Sequence, residues 1–272
     1  MSMGFGFAAY SRENVGPNGF RVTQASAVTS ACVPATSKKD LDFNNVKALI
    51  MNGGDMWWDQ GLGLPRYEVP KGSGKHSQFA ASLWIGGIDA GGQLKIAAQT
   101  YRQTGNDFWP GALDVQSASI TDVGCTAYDK HFLMYRDSVA RFLEWRNDPT
   151  SLPGYQIPSM ILDWPGNGDA TRNEDQFLAP FIDSNGDGVY DPLSGDYPGY
   201  DLTSQSTPGG CTGFIYGDQT LFWVFNDKGN IHTETQGQAI GIEVRAQAFS
   251  FATNDEINNM TFYSYQVINR ST

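Results

Sequence analysis

Residues 237–251 constrain the fold of this chain most strongly. Apolar side chains occupy every second position and small or polar ones fill the gaps, in the order Ile240, Gly241, Ile242, Glu243, Val244, Arg245, Ala246, Gln247 and Ala248. A period of two residues sends alternate side chains to opposite faces, which is the pattern of a β-strand and not of a helix. The polar set predicts that one face of this strand is exposed to water.

Further segments predict strands of the same kind. Residues 79–88 and 93–102 are apolar and β-prone, and residues 89–92 between them have the sequence Asp-Ala-Gly-Gly, which tolerates a tight turn. We therefore expect a hairpin there. Residues 214–225 and 261–269 predict two more strands.

Two segments favour helices. Val46, Leu49 and Ile50 follow Asp42 at helical spacing, and a pair of glycines at 53–54 ends the run, which predicts a short helix. A longer helix is expected over residues 128–146, where apolar residues recur at steps of three and four.

These elements predict a mainly β fold of packed antiparallel sheets, sandwich-like, with one or two helices. The chain of 272 residues has no alternation of strands and helices and no repeat of fixed period, and its 31 glycines and 13 prolines suit many turns. Residues 1–39 are expected to form an extended N-terminal arm or linker. Residues 40–272 are expected to form the β domain, as one unit or two subdomains, within a longer chain.

The charge and hydropathy exclude several partner classes. The net charge of -11 opposes binding to a nucleic-acid backbone or an anionic bilayer surface. The apolar run at residues 221–225 is far shorter than the ~18 residues that a spanning helix needs, so no membrane insertion is expected.

The sharpest local motif is an acidic loop that starts at Asp183. Oxygen ligands at its first, third and fifth positions, a glycine at the sixth, a backbone carbonyl at the seventh and an acid at the ninth are typical of a calcium loop. The predicted ligands are Asp183, Asn185, Asp187, Val189 and Asp191. The twelfth position is Ser194 and not a bidentate Glu, so we expect a structural site of modest affinity, completed by Asp196. The competing interpretation is an acidic turn that binds no ion.

A second acidic turn suggests an alternative function. Asp163, Asp169 and Glu174 would supply a carboxylate pair for glycoside hydrolysis if two of them lay ~5 to 10 Å apart in a cleft. Trp57, Trp58 and Trp109 would line a carbohydrate site, although packing in the interior is the more usual role of such residues. No residue is assigned a catalytic role, because the chain lacks the motifs of a triad or zinc enzyme.

The three cysteines leave two arrangements open. Cys32, Cys125 and Cys211 are widely spaced and form no CxxC pair, which disfavours a zinc site. One disulfide with one free thiol, or three buried thiols, both agree with the sequence.

Several longer motifs carry a family resemblance. They are NNVKALI at 44–50, GGDMWWD at 53–59, YEVPKGSG at 67–74, SLWIGG at 82–87, GNDFWPG at 105–111, GDYP at 195–198, GDQT at 217–220 and ATNDEINNM at 252–260. Residues 40–272 thereby resemble the amino-terminal region of large Bacteroidetes cell-surface proteins exported by the type IX secretion system. The resemblance implies export, a mostly β architecture and a longer parent chain ending in a sorting domain, and it implies no reaction.

The sequence therefore predicts an extracellular or cell-surface structural or adhesive module stabilised by calcium. Its expected partners are cell-surface molecules or further copies of itself. The alternative is a carbohydrate-binding module or glycoside hydrolase with a glycan ligand. We also expect the aromatic strand that starts at Thr261 to pair with a following segment or a neighbouring subunit, because an unpaired strand invites edge pairing.

Overall fold

The computed structural model describes residues 14–15, 21–22, 32–101, 104–200 and 215–271. The strands are β1 (Asn14–Val15), β2 (Arg21–Val22), β3 (Lys38–Leu41), β4 (Lys47–Met51), β5 (Asp55–Met56), β6 (Trp58–Asp59), β7 (Leu64–Pro65), β8 (Tyr67–Glu68), β9 (His76–Gln78), β10 (Ala81–Ser82), β11 (Trp84–Ile88), β12 (Leu94–Ala98), β13 (Trp109–Pro110), β14 (Phe132–Tyr135), β15 (Phe181–Ile182), β16 (Tyr197–Pro198), β17 (Gln219–Asn226), β18 (Ile242–Ser250) and β19 (Phe262–Asn269). The helices are α1 (Asp122–Ala127), α2 (Arg136–Asn147) and α3 (Ser159–Leu162), with short 3-10 turns at Ala170–Arg172 and Glu256–Asn259.

The central layer is a five-stranded antiparallel sheet built on β17. Strands β13 and β14 pair with one side of β17, β18 pairs with the other, and β19 pairs with β18. Every residue of β17 is buried, so this strand has no solvent face. The uninterrupted apolar run at its centre reflects that position, because a strand covered on both faces loses the polar alternation.

A second antiparallel sheet covers one face of the central sheet. Its order is β10, β5, β4, β8 and β9, with β3 also paired to β4. The two sheets enclose a first core that includes Leu41, Ile50, Trp223, Phe225 and Val244. Two packed antiparallel sheets confirm the predicted sandwich-like, mainly β class.

Helices and loops cover the opposite face of the central sheet. Phe222 and Val224 of β17 enter a second core with Phe142 of α2 and Ile161 of α3. The small hairpin of β15 and β16 joins this layer through Phe181. The candidate calcium loop connects these two strands, so the second core anchors the loop at its base.

The alternating strand was predicted correctly, but its exposed face was not. Glu243, Arg245 and Gln247 of β18 are all buried. The Arg245 guanidinium donates to the carboxylates of Glu243 and Asp175 at 2.8 and 2.9 Å and to the Phe177 carbonyl at 2.6 Å. The segment around residue 175 covers this polar face. The opposite charges pair with each other inside the protein, which offsets the cost of burying them.

The hairpin prediction is confirmed and one helix prediction is wrong. Strands β11 and β12 pair antiparallel from Trp84 opposite Ala98 to Ile88 opposite Leu94. The helix expected between Asp42 and Ile50 is replaced by β4, in which Ala48 to Met51 are all buried. A short apolar run buried on both faces has no period of its own, so helical spacing arises there by chance. The longer predicted helix divides into β14 and α2.

The segment that precedes β3 is tied to the domain at several points. Cys32 and Cys125 form a disulfide whose Cα atoms are 5.9 Å apart. The Asp129 carboxylate accepts hydrogen bonds from the backbone N–H groups of Thr36 and Ser37, at 2.9 and 3.0 Å. The packed structure thus includes residues before position 40, and Cys211 lies outside the described residues.

Candidate metal centre

The candidate calcium loop occupies residues 183–196, between β15 and β16. The two strands pair antiparallel with Phe181 opposite Pro198 and Ile182 opposite Tyr197. Continuing that register by one residue places Asp183 beside Asp196. Two carboxylates therefore meet where the ladder ends, and like charges that face each other across a strand pair are destabilising unless a cation lies between them.

A third carboxylate joins this pair. Oxygen atoms of Asp183, Asp187 and Asp196 all lie within 4.8 Å of one another. Asp196 is fully buried, Asp183 is half-buried and Asp187 is exposed. The cluster thus extends from the protein interior to its surface, which gives an ion a route from solvent.

Hydrogen bonds within the loop fix the position of Asp183. Its Oδ1 accepts from the Gly186 N–H at 2.7 Å and its Oδ2 from the Gly188 N–H at 2.8 Å. Both glycines have positive φ angles, 77° and 76°, which side chains with a Cβ rarely tolerate. The glycines at the fourth and sixth loop positions are therefore required by the turn that folds the backbone around this carboxylate.

The buried carboxylate of Asp196 connects the two ends of the loop. Its Oδ1 accepts from the Ser184 N–H at 2.8 Å and its Oδ2 from the Asp191 N–H at 2.9 Å. An ionised carboxylate has about four acceptor positions, so each oxygen retains capacity for a cation. Sequence spacing suggested Asp196 only as a completing ligand, whereas its burial and its place opposite Asp183 depend on the hairpin register.

The remaining predicted ligands have different surroundings. The Asn185 side chain donates to Asp187 Oδ2 at 2.8 Å, and the Val189 N–H donates to Asp187 Oδ1 at 2.7 Å. The Asp191 carboxylate accepts instead from the Leu193 N–H and the Ser194 hydroxyl, at 2.9 and 2.6 Å. The Ser194 hydroxyl bond is the main cause that lowers the pKa of Asp191. Among the five predicted residues, the structure brings the carboxylates of Asp183 and Asp187 together and turns that of Asp191 toward the next turn.

Neighbouring elements hold the loop in place. The Arg146 guanidinium, at the end of α2, donates to the Gly195 carbonyl at 2.7 Å and to the Ser184 hydroxyl at 3.2 Å. Asn167 accepts from the Tyr190 N–H at 2.6 Å and donates to the Gly188 carbonyl at 3.0 Å. The second acidic turn thus supports the loop through an amide rather than through its acids.

The acids of that second turn are occupied by internal contacts. Glu174 is buried and accepts from the Tyr128 hydroxyl, the Arg172 guanidinium and the Asp169 N–H, at 2.6, 2.6 and 2.8 Å. Asp169 accepts from Thr171 and pairs with Arg172 at 2.7 Å, and the Thr171 hydroxyl bond is the main cause that lowers its pKa. Asp163 is exposed beyond the end of α3. These contacts give Asp169 and Glu174 structural roles.

The three tryptophans named above do not form one platform. Trp109 is 2% exposed, and Trp57 packs between Tyr67 and Tyr263 at the first core. Trp58 instead joins an aromatic cluster with Phe79 and Tyr101, whose ring centroids lie 4.7 and 5.6 Å from its own. Sequence reasoning missed the last two rings, because they come from segments brought together only by the fold.

The donor set of the loop determines which ion suits it. The side chains of Asp183, Asn185, Asp187 and Asp196 offer carboxylate and amide oxygens, the hard ligands that calcium prefers, and the loop contains no sulfur or imidazole that would favour zinc. Across the part of the chain that the structure describes, this is the one group of three acidic, histidine or cysteine side chains close enough to share an ion. The loop is therefore the best candidate site for a divalent cation.

Comparison with known proteins adds no family assignment. Neither the family models, nor the curated proteins, nor the solved structures contain a match to this chain. A search of the described helices finds none with the length and apolar character needed to cross a bilayer.

Proposed function

We propose that this chain is an extracellular structural or adhesive module whose fold is stabilised by calcium at the Asp183 loop. The observation that carries the proposal is the convergence of Asp183, Asp187 and Asp196 within 4.8 Å at the base of one hairpin. Three carboxylates at that separation repel one another, and a bound cation converts that repulsion into attraction.

The surroundings of the loop favour a structural role for the ion. Asp196 is fixed by two backbone N–H groups, and Arg146 attaches the loop to α2. Such a site links the β15–β16 hairpin to the second core and stabilises the native state over the unfolded one. The missing glutamate at the twelfth position agrees with the weaker affinity of extracellular calcium modules.

Two further features support an extracellular setting. The Cys32–Cys125 disulfide is of a kind that persists in oxidising compartments and is rare in reducing ones. The resemblance of residues 40–272 to type IX-exported surface proteins, given above, implies the same location. Both are consistent with calcium, which is abundant outside cells, and with partners on a cell surface.

The proposal is tested by thermal unfolding of the full chain with calcium or with a chelator. A dissociation constant of ~10⁻⁴ M would add roughly 1.4 to 2.7 kcal/mol at ~1 to 10 mM calcium. That corresponds to a rise in melting temperature of roughly 3 to 10 °C. The variant Asp187→Asn should lose at least about half of this rise, whereas Asp163→Asn, an equal charge change at an exposed position, should keep it. An identical melting temperature in calcium and in chelator would contradict the proposal.

Glycan binding is a second candidate function, favoured by the aromatic cluster of Trp58, Phe79 and Tyr101. Phe79 is 51% exposed and Tyr101 is 40% exposed, and exposed rings are suited to stacking against sugar faces. Titration with soluble glycans should quench or shift tryptophan fluorescence. Phe79→Ala should abolish that change and Phe43→Ala, at another exposed aromatic, should not. Unchanged fluorescence across a broad glycan set would eliminate this function.

A further inference from the structure

Strand β19 forms one edge of the central sheet. Its eight residues pair with β18 from Phe262 opposite Phe249 to Asn269 opposite Ile242. Within the described ranges no strand pairs with its other side. Among the described residues, the far side of β19 is thus an open edge of eight residues, longer than an average strand.

The register shows which backbone groups face that edge. The Arg270 N–H donates to the Gly241 carbonyl at 2.8 Å, and these two residues continue the β18–β19 pairing by one step. In an antiparallel pair, hydrogen-bonded positions recur at every second residue. The even-numbered residues of β19 therefore bond to β18. The odd-numbered residues, Tyr263, Tyr265, Val267 and Asn269, direct their N–H and C=O groups away from the sheet.

In the part of the chain that the structure describes, this edge lacks the features that normally prevent strand addition. Residues 261–269 contain no charged residue, no proline and no glycine. Natural edge strands are usually protected by such residues, by a bulge or by a covering segment. No bulge interrupts the β18–β19 register, and the Val267 side chain is 47% exposed. An unprotected edge of this length is suited to accepting another strand.

We propose that β19 pairs antiparallel with β19 of a second copy of this chain, about a two-fold axis at Gln266. The four outward residues are centred on that position. Tyr263 would then face Asn269 of the partner subunit, and Tyr265 would face Val267 of the partner subunit. In this register all four outward residues form hydrogen-bonded pairs, whereas a shift in either direction leaves at least one of them unpaired.

Side-chain chemistry favours the same register. Tyr265 lies on the face that packs against the first core, and Val267 continues that face toward the open edge. An aromatic residue opposite a β-branched one is a favourable cross-strand pair. The chain carries a net charge of -11, but the paired segments hold no charge, so no like charges meet along the edge. The product is one continuous sheet across two copies.

A proline substitution tests the pairing without breaking the existing sheet. The Val267 N–H points outward, so Val267→Pro removes no bond to β18 but blocks the edge. Sedimentation of the purified full chain over rising concentration should show a monomer–dimer equilibrium. Val267→Pro should abolish the dimer with the fold retained by circular dichroism, and Val267→Thr, which keeps the N–H and the branched shape, should preserve it. If Val267→Pro does not fold, Val267→Lys takes its place and should also be monomeric.

Cysteine crosslinking tests the register. At the two-fold axis Gln266 faces its own copy in a non-hydrogen-bonded pair, where Cα atoms lie ~4.5 Å apart, within the range of a disulfide. Under mild oxidation Gln266→Cys should give a covalent dimer. Ser264→Cys should not, because residue 264 faces residue 268 of the other copy. The wild-type chain, oxidised in the same way, measures any crosslinking through its native cysteines.

Two outcomes would overturn the proposal. A wild-type chain that stays monomeric at high concentration excludes the dimer. Crosslinking through residue 264 but not 266 excludes the register. The pairing does not involve the Asp183 loop, so each experiment is run in calcium and in chelator, and the dimer should form in both. A chain that binds no calcium should therefore still dimerise through β19, and a chain that does not dimerise should still bind calcium.

Discussion

Asp183 and Asp196 lie beside each other where the β15–β16 ladder ends, one half-buried and the other fully buried. Asp183 folds the loop backbone around itself through Gly186 and Gly188, and Asp196 joins the loop ends through Ser184 and Asp191. Each carboxylate thus organises a different part of the same loop. Their common neighbour Asp187 is the exposed member of the group, and it is the residue to change when the electrostatics of the site are tested.

The disulfide should contribute substantially to stability. Cys32 and Cys125 are 93 residues apart, and a crosslink over so long a segment restricts the unfolded chain strongly. Replacing both cysteines by serine should lower the free energy of unfolding by about 2 to 5 kcal/mol. Denaturant unfolding measures this difference. A reductant should destabilise the wild type and leave the double variant unchanged, and equal stability of the two proteins would contradict the prediction.

The buried charges on β18 should respond strongly to loss of one partner. Glu243 accepts from Arg245 and Arg270 at 2.8 and 3.3 Å and from the Leu113 N–H at 2.9 Å. Glu243→Gln keeps the shape but removes one of the two carboxylates that Arg245 and Arg270 share, so that only Asp175 still pairs with both guanidinium groups. We expect a cost of about 1 to 3 kcal/mol in the free energy of unfolding. Glu256→Gln, at an exposed position, should change it little, and similar costs for the two variants would argue against the network.

Asp55 should make the protein less stable as the pH rises. Burial raises its pKa from 3.8 to about 6, because its charged form is poorly solvated. Its stabilising contribution is complete below pH ~3.8 and is lost as the pH rises through about 6. Asp55→Asn should remove this loss, amounting to about 1 to 3 kcal/mol between the two pH values. Unfolding at pH 4 and pH 7 tests it, and parallel pH dependence in both proteins would refute it.

His131 should have the opposite effect. Desolvation of its ring lowers the pKa from 6.5 to about 4, so the native state favours the neutral form. The contribution is complete above pH ~6.5 and is lost as the pH falls through about 4. The ring nitrogen Nδ1 lies 2.9 Å from the Ser37 hydroxyl, a contact that an asparagine amide can replace. Between pH 7 and pH 5, His131→Asn should lose up to about 2 kcal/mol less stability than the wild type. Equal losses would show that His131 does not titrate as described.

The sequence was most informative where apolar and polar residues alternate along a strand. Alternation located β18 and β19, and the Asp-Ala-Gly-Gly turn located the β11–β12 hairpin. Sequence patterning failed at β4, because its buried run from Ala48 to Met51 contains no polar residues and therefore no alternation that identifies a strand. The buried polar face of β18 was also missed, since charge pairing between Glu243 and Arg245 depends on a segment 70 residues away.

The candidate site was predictable only in part, because local spacing encodes some of its contacts and long-range packing determines the others. Local spacing identified Asp183 and Asp187, whose contacts lie within the loop itself. The different orientation of Asp191 follows from a local turn with Ser194 that competes for its carboxylate. The burial of Asp196 depends on the hairpin and the second core, which spacing does not encode. Short-range chemistry was therefore visible in the sequence, and long-range packing was not.

Calorimetric titration of the chelator-treated full chain with calcium shows directly whether the Asp183 loop binds the ion. We expect saturable binding of one calcium ion per chain, with a dissociation constant of ~10⁻⁴ M. Asp187→Asn should weaken binding at least about tenfold, equivalent to ~1.4 kcal/mol, and Asp163→Asn should leave it unchanged. The absence of saturable binding up to ~10 mM calcium, or equal affinities in wild type and Asp187→Asn, would contradict calcium stabilisation at this loop.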